Sequence, residues 1–285
     1  MIIFLSKIIK GFDLMGFGDL DVKVSASLVI FNNSPSQIER LLRSVEQSRL
    51  PIDLVVVDNS PSNCLASYFS NHTYRHFGNN IGFGAAHNQV IRTVCSDYHV
   101  IINPDVEFAA ETVFNLIQPM VSDNGVVACV PLVRYPDGRL QRLNKLLPTP
   151  MNLFFRRFFP FLAKRLDFHY EMQWFKYDSE MPLPNASGCF LAARTALLKE
   201  LDGFDERFFM YLEDTDLTRR LNRHGVVLFN PKAVITHEFG RSSYKFGKLF
   251  FIHIQSAIRY FNKWGWLFDF ERRRINKSYF KRKID

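Results

Sequence analysis

The chain has 285 residues, of which 47% are hydrophobic and 22% are charged, a composition typical of a globular protein with one large domain or two small ones. No run of about 18–20 uninterrupted apolar residues occurs, which excludes a membrane-spanning helix. The formal net charge of +8 favours an anionic partner such as a nucleotide, a nucleic acid or an acidic membrane surface.

The N-terminal segment and the cysteines say little about function. We expect residues 1–22 to form a poorly ordered extension or an interfacial amphipathic helix, because Lys7 and Lys10 interrupt a short apolar stretch that lacks the order of a signal peptide. The four cysteines are far apart and form no C-x-x-C pair, so we expect reduced core residues of a cytosolic protein.

Strand and helix patterns alternate through the first half of the chain. Short β-branched apolar runs predict strands, and apolar residues at helical spacing predict helices between them. The predicted strands cover residues 25–31, 53–59, 73–78, 98–104 and 125–135, and the predicted helices cover residues 34–48, 84–94 and 109–120. This alternation predicts an α/β fold with a mostly parallel sheet flanked by helices.

The pattern changes in the second half. Residues 148–177 are aromatic and basic without clear strands, whereas residues 185–225 predict a strand, a helix, a glycine-containing loop and a second helix that begins near Glu213. One or two strands are predicted in residues 226–240. The tail, residues 241–285, is strongly basic, with 12 Lys and Arg against three Asp and Glu.

Polar residues follow three of the predicted strands. Asn32 follows the first and Asp58 ends the second, while Asn103 and Asp105 flank Pro104, which cannot donate a hydrogen bond to a strand ladder. Ligands of open α/β sheets bind beyond the carboxyl ends of the strands, so we expect these side chains to line a binding rim. Ordinary turn chemistry is the alternative.

The loop from Gly78 to Asn88 is rich in glycine and asparagine and opens a predicted helix. Gly82 and Gly84 begin a dinucleotide fingerprint, but His87 stands at its third glycine position, and we therefore reject NAD binding. The sequence also lacks a P-loop motif. The loop still favours a phosphate or a sugar nucleotide, with a simple capped loop as the alternative.

Carboxylates and one histidine complete the candidates. Asp105 suits a hard cation such as Mg²⁺ or Mn²⁺, unless it only caps the next helix. Glu213, Asp214 and Asp216 cluster at a helix start, where they either complement the macrodipole or include a general base with a raised pKa. His237 gains a metal-binding role only if it faces Asp105.

The ordered motifs resemble the family 2 glycosyltransferases, which have the GT-A fold, and within them bacterial rhamnosyltransferase-like enzymes. The resemblance covers about residues 24–243. Its segments are VVVDNSPS, NNIGFGAAHN, IINPDV, NASGCFLAARTALLKELDGFDERFFMYLEDTDLTRRL and HEFGRSS. It implies an inverting glycosyltransferase with a dTDP- or UDP-sugar donor, dTDP-rhamnose as the expected one. The implied acceptor is a lipid-linked saccharide in O-antigen, capsule or other cell-surface polysaccharide synthesis.

The resemblance also implies nucleotide contacts. Asp58 would bind the pyrimidine ring. Asn32, Asn80, Gly82 and Asn103 would lie along the nucleotide and the donor sugar.

Metal and catalytic roles follow from the same resemblance. The run from Asn103 to Asp105 stands where the family often has D-x-D, so Asp105 would bind Mg²⁺ or Mn²⁺ with one anionic ligand fewer, and His237 would be a second metal contact. Asp214, beside Glu213, would be the catalytic base. Gly188 would let the backbone approach the acceptor.

The basic aromatic segments and two rival functions remain. Aromatics with Lys and Arg in residues 151–177 and in the tail favour an anionic membrane interface, with nucleic acid or a core-facing stripe as alternatives.

We expect a catalytic domain at residues 23–243, a basic helical membrane-contacting segment at residues 244–285, no nucleic-acid partner, and a location at the cytoplasmic face of the inner membrane. The rivals are a sugar-nucleotide nucleotidyltransferase and a non-enzymatic nucleic-acid-binding protein.

Overall fold

The computed structural model describes residues 22–155, 167–238 and 247–281, and a nine-stranded sheet lies at their centre. The strands are β1 (Val24–Ile30), β2 (Ile52–Asp58), β3 (Thr73–His76), β4 (Tyr98–Ile102), β5 (Val106–Phe108), β6 (Val126–Arg134), β7 (Met181–Pro182), β8 (Phe190–Arg194) and β9 (Val226–His237). The helices are α1 (Pro35–Glu46), α2 (Phe83–Ile91), α3 (Thr112–Ser122), α4 (Thr195–Glu200), α5 (Glu213–Leu221), α6 (Lys248–Trp264) and α7 (Phe270–Lys281).

The sheet is mixed and mostly parallel, as the sequence predicts. Its order is β3-β2-β1-β4-β8-β6-β9-β5, and β7 pairs with β9. Strands β1, β2, β3 and β4 are parallel, and β6 is parallel to β9, whereas β8 runs antiparallel between β4 and β6. The carboxyl ends of β1, β2, β4, β6 and β9 therefore share one edge, where β8 begins. The short strands β5 and β7, antiparallel to β9, are not predicted from the sequence.

Helices cover both faces of the sheet. All residues of β1 and β4 are buried, because apolar side chains pack against helices and the polar Ser25, Ser27 and His99 hydrogen-bond to one another. Helices α1 and α3 pack on one face, and α2, α4 and α5 pack on the other. Helix α1 begins where the sequence predicts, because Ser34 and Gln37 form a reciprocal capping box.

Two expectations from the sequence are corrected by the structure. Cys129 and Cys189 are buried, but Cys64 and Cys95 are exposed, so only two of the four free cysteines are core residues. The capping alternative for Asp105 is also wrong, because β5 intervenes and α3 begins only at Thr112.

Several predictions concern residues that the structure does not describe. They include nearly all of the expected N-terminal extension 1–22, residues 156–166 of the aromatic segment, and residues 239–246, where the predicted boundary between residues 243 and 244 falls. Across the described ranges, none of the helices combines the length and the apolar character that crossing a bilayer requires.

The two C-terminal helices are joined to α5 by a buried ion cluster. Arg219 of α5 is 2% exposed and donates two hydrogen bonds of 2.7 Å to the carboxylate of Asp269, at the start of α7. Glu271 accepts from the same guanidinium at 2.6 and 3.0 Å, and the ring of Trp264 lies 4.1 Å from it. The tail is therefore packed onto the helix that carries Glu213 and Asp214.

We expect Asp269→Asn to lower the free energy of unfolding by about 3 kcal/mol, because it leaves the charge of Arg219 buried and incompletely paired. Urea unfolding followed by tryptophan fluorescence measures this change. Asp178→Asn, at an exposed carboxylate, is the matched control and should change stability by less than about 0.5 kcal/mol. Equal stability of the two variants would contradict a structural role for the pair.

The same pair predicts a pH dependence. Burial alone would raise the pKa of Asp269, but hydrogen bonds from Arg219 and from the Arg272 N–H outweigh it and hold that pKa below its usual value. The stabilisation is therefore present above about pH 3.9 and is lost as the pH falls through the lower folded-state pKa. The stability difference between wild type and Asp269→Asn should shrink in acid.

Candidate active site

The candidate residues lie along the edge where the parallel strands end. The residue pairs that fix this edge are Ile30 with Asp58, Leu28 with Ile102, Ile102 with Phe190, and Val106 with His237. Neighbouring strands are about 4.8 Å apart, and β1 lies between β2 and β4. Asp58 therefore lies roughly 10 Å along the rim from the end of β4, as expected for one elongated site.

Asp58 is fully buried and already bonded within the protein. One carboxylate oxygen accepts from the Ser60 N–H at 2.7 Å, and the other accepts from the Tyr74 hydroxyl at 2.5 Å. Burial, then the hydrogen bond and charge of Asp58, raise the pKa of Tyr74 far above its usual value. The binding of a pyrimidine by Asp58 stays a prediction, and it requires a base to share or replace one of these donors.

Asn32 occupies a left-handed backbone conformation directly after β1. Its φ is 52°, and its N–H donates to the Ser60 hydroxyl at 2.9 Å, which links the ends of β1 and β2. The Asn32 side chain is exposed at the rim. A left-handed asparagine is tolerated because its short polar side chain can bond locally.

Asn80 and Gly82 build the loop before α2. The Asn80 side-chain oxygen accepts from the Gly82 N–H at 2.9 Å and from the Asn59 amide at 3.2 Å. Gly82 has a φ of +98°, and a Cβ there would lie 2.8 Å from the carbonyl oxygen of Phe209. The loop thus packs closely on the segment leading to α5, which requires glycine at this position.

Asp105 and His237 face each other across the ends of β4 and β9. The distance from His237 Nε2 to Asp105 Oδ1 is 3.3 Å, and this oxygen is buried without a hydrogen-bond partner. His237 Nδ1 is hydrogen-bonded to Gln141 Oε1 at 2.6 Å, which orients the imidazole. A carboxylate oxygen and an imidazole nitrogen this close together either share a proton or bind a cation between them.

These residues fit a divalent cation that is shared with a ligand. The side-chain oxygen of Asn103, two residues before Asp105, is also buried without a partner. In residues 22–155, 167–238 and 247–281, no group of three or more His, Cys, Asp and Glu side chains is arranged to hold a metal ion. A cation that keeps one or two protein ligands and takes phosphate oxygens for the rest does not need such a group.

Two left-handed residues directly precede helix α5. Tyr211 and Leu212 have φ values of 71° and 66°, a conformation that costs non-glycine residues of order 1–3 kcal/mol. Leu212 packs in a buried cluster with Tyr260 and Phe261 of α6. This packing holds the turn that aims the first helical residues at the rim.

Asp214 is held by backbone N–H groups at the start of α5. Gly188 and Thr215 donate to its two carboxylate oxygens at 3.1 and 2.7 Å. Burial raises the pKa of Asp214, whereas these N–H groups and the charge of Lys145 act in the opposite direction. A Cβ on Gly188 would lie 3.2 Å from the Cβ of Asp214, so this glycine approaches the carboxylate side chain. Its contact with an acceptor stays a prediction.

Glu213 has a drier environment than its neighbour. It is 6% exposed, and its Oε2 atom is buried without a hydrogen-bond partner. Burial, followed by the negative charge of Asp214, raises the pKa of Glu213 well above its usual value. The adjacent carboxyls are therefore unequal, because Asp214 has donors for its ionised form and Glu213 has few.

Asp105 and Asp214 both act on the Cys189 thiol. Burial, and to a smaller extent the charges of Asp105 and Asp214, raises the pKa of Cys189 to about 12. Asn103 is tied to the same residue, since its N–H donates to the Cys189 carbonyl at 2.9 Å. The metal candidates and the base candidate thus flank the start of β8.

Asp216, the third acid of α5, has a structural role. Its carboxylate pairs with Arg220 at 2.8 Å and Lys263 at 2.7 Å, and it accepts from Trp264 Nε1 at 2.8 Å.

Sequence reasoning missed Tyr74, Gln141 and Lys145. No motif signals them, because each acquires its role from a partner that is distant in the chain or unremarkable in sequence.

Comparisons with known proteins identify the family. The model of the family "Glycosyl transferase family 2" matches residues 25–181, more than half of the chain. The chain is 26% identical over 234 residues to the N-acetylglucosaminyl-diphospho-decaprenol L-rhamnosyltransferase of Mycobacterium tuberculosis, which covers 72% of this chain and 73% of that protein. It is 24% identical over 256 residues to the rhamnosyltransferase WbbL of Escherichia coli K12, with 82% and 90% covered.

A solved structure gives the fold. GalNAc-T7, crystallised with UDP, GalNAc and Mn²⁺, matches with a TM-score of 0.63 and 16% identity over 85% of this chain. The chain spans 49% of the length of GalNAc-T7. The protein is therefore a glycosyltransferase that has the GT-A fold and belongs to glycosyl transferase family 2.

Proposed function

We propose that this glycosyltransferase moves a rhamnosyl residue from dTDP-rhamnose to a lipid-linked saccharide, with inversion at the anomeric carbon. The names of the two relatives, both rhamnosyltransferases and one acting on a diphospho-decaprenol acceptor, support the sugar and the acceptor class. The main observation that supports this reaction is the position of the Asp214 carboxylate. It is fixed by two backbone N–H groups and flanks the same strand start as Asp105.

The proposed step is a single displacement. Asp214 accepts the proton of an acceptor hydroxyl as that O–H bond breaks, and the oxygen forms a bond to the anomeric carbon. The bond from that carbon to the diphosphate oxygen breaks, and the nucleoside diphosphate leaves with the electron pair. A positioned general base contributes about 10²–10⁴-fold to the rate, and its raised pKa makes Asp214 a stronger base than an exposed aspartate.

We propose that Asp105 and His237 hold a divalent cation, Mg²⁺ or Mn²⁺, with Gln141 orienting the imidazole. Such a cation, when bound, neutralises charge on the diphosphate. Along the rest of the rim, Asn32, Asn80, Gly82 and Asn103 line the donor site. Asp58 binds the pyrimidine.

The two rival functions are disfavoured. A sugar-nucleotide nucleotidyltransferase and a non-enzymatic nucleic-acid-binding protein both conflict with membership of a glycosyltransferase family. The basic composition, which suggested nucleic-acid binding, is also explained if the protein binds an anionic membrane that carries the acceptor. We therefore place the protein at the cytoplasmic face of the inner membrane, in the synthesis of O-antigen, capsule or another cell-surface polysaccharide.

We expect Asp214→Asn to lower the rate of transfer by at least about 10²-fold while donor binding changes little, because the amide keeps the shape but cannot accept the proton. Transfer is measured with dTDP-rhamnose and a lipid-linked acceptor, and donor binding by isothermal titration calorimetry. Asp178→Asn is the control for removing a carboxylate. Loss of donor binding in Asp214→Asn would refute its assignment as the base.

We expect Asp105→Ala and His237→Ala each to weaken Mn²⁺-dependent binding of nucleoside diphosphate. Each removes one of the two protein ligands proposed for the cation. The readout is the thermal shift that the nucleotide produces with and without Mn²⁺, and Asp178→Ala is the control. An unchanged dependence on Mn²⁺ in both variants would remove these residues from a metal site.

We expect Glu213→Gln to be more stable than wild type at about pH 8 and equally stable in acid. The protonated form of Glu213 contributes stability that is fully present below the usual glutamate pKa of about 4.3, and it is lost as the pH rises through the raised folded-state pKa. Glutamine does not ionise and keeps that stability. Urea unfolding across this pH range gives the comparison, and parallel profiles would contradict an elevated pKa.

A further inference from the structure

The turn between α6 and α7 exposes an unusual density of large apolar side chains. Leu267, Phe268 and Phe270 are 64%, 76% and 73% exposed, and Trp266 before them is 38% exposed. We call residues 266–270 the apolar turn. Single exposed apolar residues are ordinary, but a contiguous group of this size marks an interaction surface.

The exposure is built into the fold. Asp269, between the two exposed phenylalanines, is buried and pairs with Arg219 of α5. Arg272 donates to the carbonyl oxygens of Gly265 and Trp266, and Arg273 donates to that of Leu267. Asp269 and the two arginines hold the backbone of the turn against the protein, so its apolar side chains face solvent.

Two more exposed apolar side chains lie on α6. Phe251 and Ile258 are 69% and 41% exposed, and they lie seven residues apart, on one face of the helix. Gln255 and Asn262, on the same face, are also exposed, so this face is mixed polar and apolar and leads to Gly265, directly before the apolar turn.

The charges beside this surface point to the partner. Arg273, Arg274 and Lys277 are exposed on α7. The two acids of this region, Asp269 and Glu271, are engaged by Arg219, so they do not offset these cations toward solvent. Exposed Leu and Phe, a tryptophan and adjacent Arg and Lys are the combination found where proteins lie in the interface of an anionic bilayer.

We propose that the apolar turn inserts into the interfacial region of an anionic lipid bilayer, with Arg273, Arg274 and Lys277 contacting headgroup phosphates. The turn and the base belong to one rigid unit, because Asp269 is bonded to Arg219, five residues or about 7.5 Å along α5 from Asp214. Only the consequence of this inference rests on the proposed function, namely that membrane docking fixes the position of Asp214 relative to a lipid-linked acceptor.

The direct test is co-sedimentation with vesicles of phosphatidylethanolamine and phosphatidylglycerol. We expect the double variant Leu267→Ser/Phe268→Ser to bind at least about tenfold more weakly than wild type, because it removes two exposed apolar side chains from the interface. Tyr68→Ser removes an exposed aromatic residue next to β3, at the far edge of the sheet, and should bind like wild type. Wild-type binding by the double variant would overturn the proposal.

A charge variant tests the lipid chemistry. Arg274→Glu/Lys277→Glu should lose binding to phosphatidylglycerol vesicles, and the matched pair Lys199→Glu/Lys232→Glu, also exposed but away from α7, should lose much less. Equal losses in the two double variants would indicate a net-charge effect and overturn the assignment to this surface. Point variants are preferable to deleting residues 265–285, which would also remove Asp269.

Two further measurements separate this proposal from its alternatives. If light scattering shows a dimer that Leu267→Ser/Phe268→Ser dissociates while wild type fails to bind vesicles, the surface belongs to a second copy of the chain and the proposal is wrong. Vesicle binding needs no nucleotide, so full transfer by Asp214→Asn would overturn the proposed base without affecting this result. Transfer to a soluble acceptor analogue should stay unchanged in Leu267→Ser/Phe268→Ser, which shows that the variant is folded.

Discussion

The position of α5 depends on the buried ion pair between Arg219 and Asp269. The first turn of this short helix carries the two carboxyls of the candidate active site, and that turn follows two strained left-handed residues, Tyr211 and Leu212. Strain of this kind persists only where surrounding contacts determine the backbone. The C-terminal helices supply those contacts through the ion pair and through packing on Leu212. The basic tail is therefore a structural support of the candidate active site, whatever else it binds.

Several of the unpartnered buried polar atoms in the described residues lie at the rim of the sheet, and others lie elsewhere. Side-chain oxygens of Asn59, Asn103, Asp105 and Glu213 are all buried without hydrogen-bond partners. Each such atom costs about 1–3 kcal/mol, and a folded protein keeps few of them without a reason. These four atoms lie near the ends of β2 and β4 and the start of α5, as expected for a site whose ligand supplies the missing partners. The buried apolar core behind the rim offsets the destabilisation that these unpartnered atoms cause.

The sequence predicts the parts of the fold that depend on local pattern. The alternating strands and helices of residues 24–135 and the capping box at Ser34 follow from periodicity and capping chemistry, and the structure confirms them. The antiparallel strands β5 and β7 have only three and two residues, which is too short for a periodic pattern, and their pairing with β9 is long-range. Gln141 could not be found for the same reason, because its contact with His237 spans 96 residues. Sequence motifs predict which residues lie on the rim. The side chains that bond to those residues are brought there by tertiary packing, which the motifs do not reveal.

Glu213 and Asp214 show how that packing decides chemistry between neighbouring residues of the same type. Both pKa values are raised by burial, but Asp214 receives two backbone N–H bonds and the field of Lys145, whereas Glu213 has an oxygen without any donor. The pair therefore ionises first at Asp214, and the neutral form of Glu213 avoids a second negative charge beside it. If the site accepts a nucleoside diphosphate, as proposed, this arrangement limits the negative charge that would repel the donor. The unequal environments thus favour ionisation at Asp214, the residue proposed as the base.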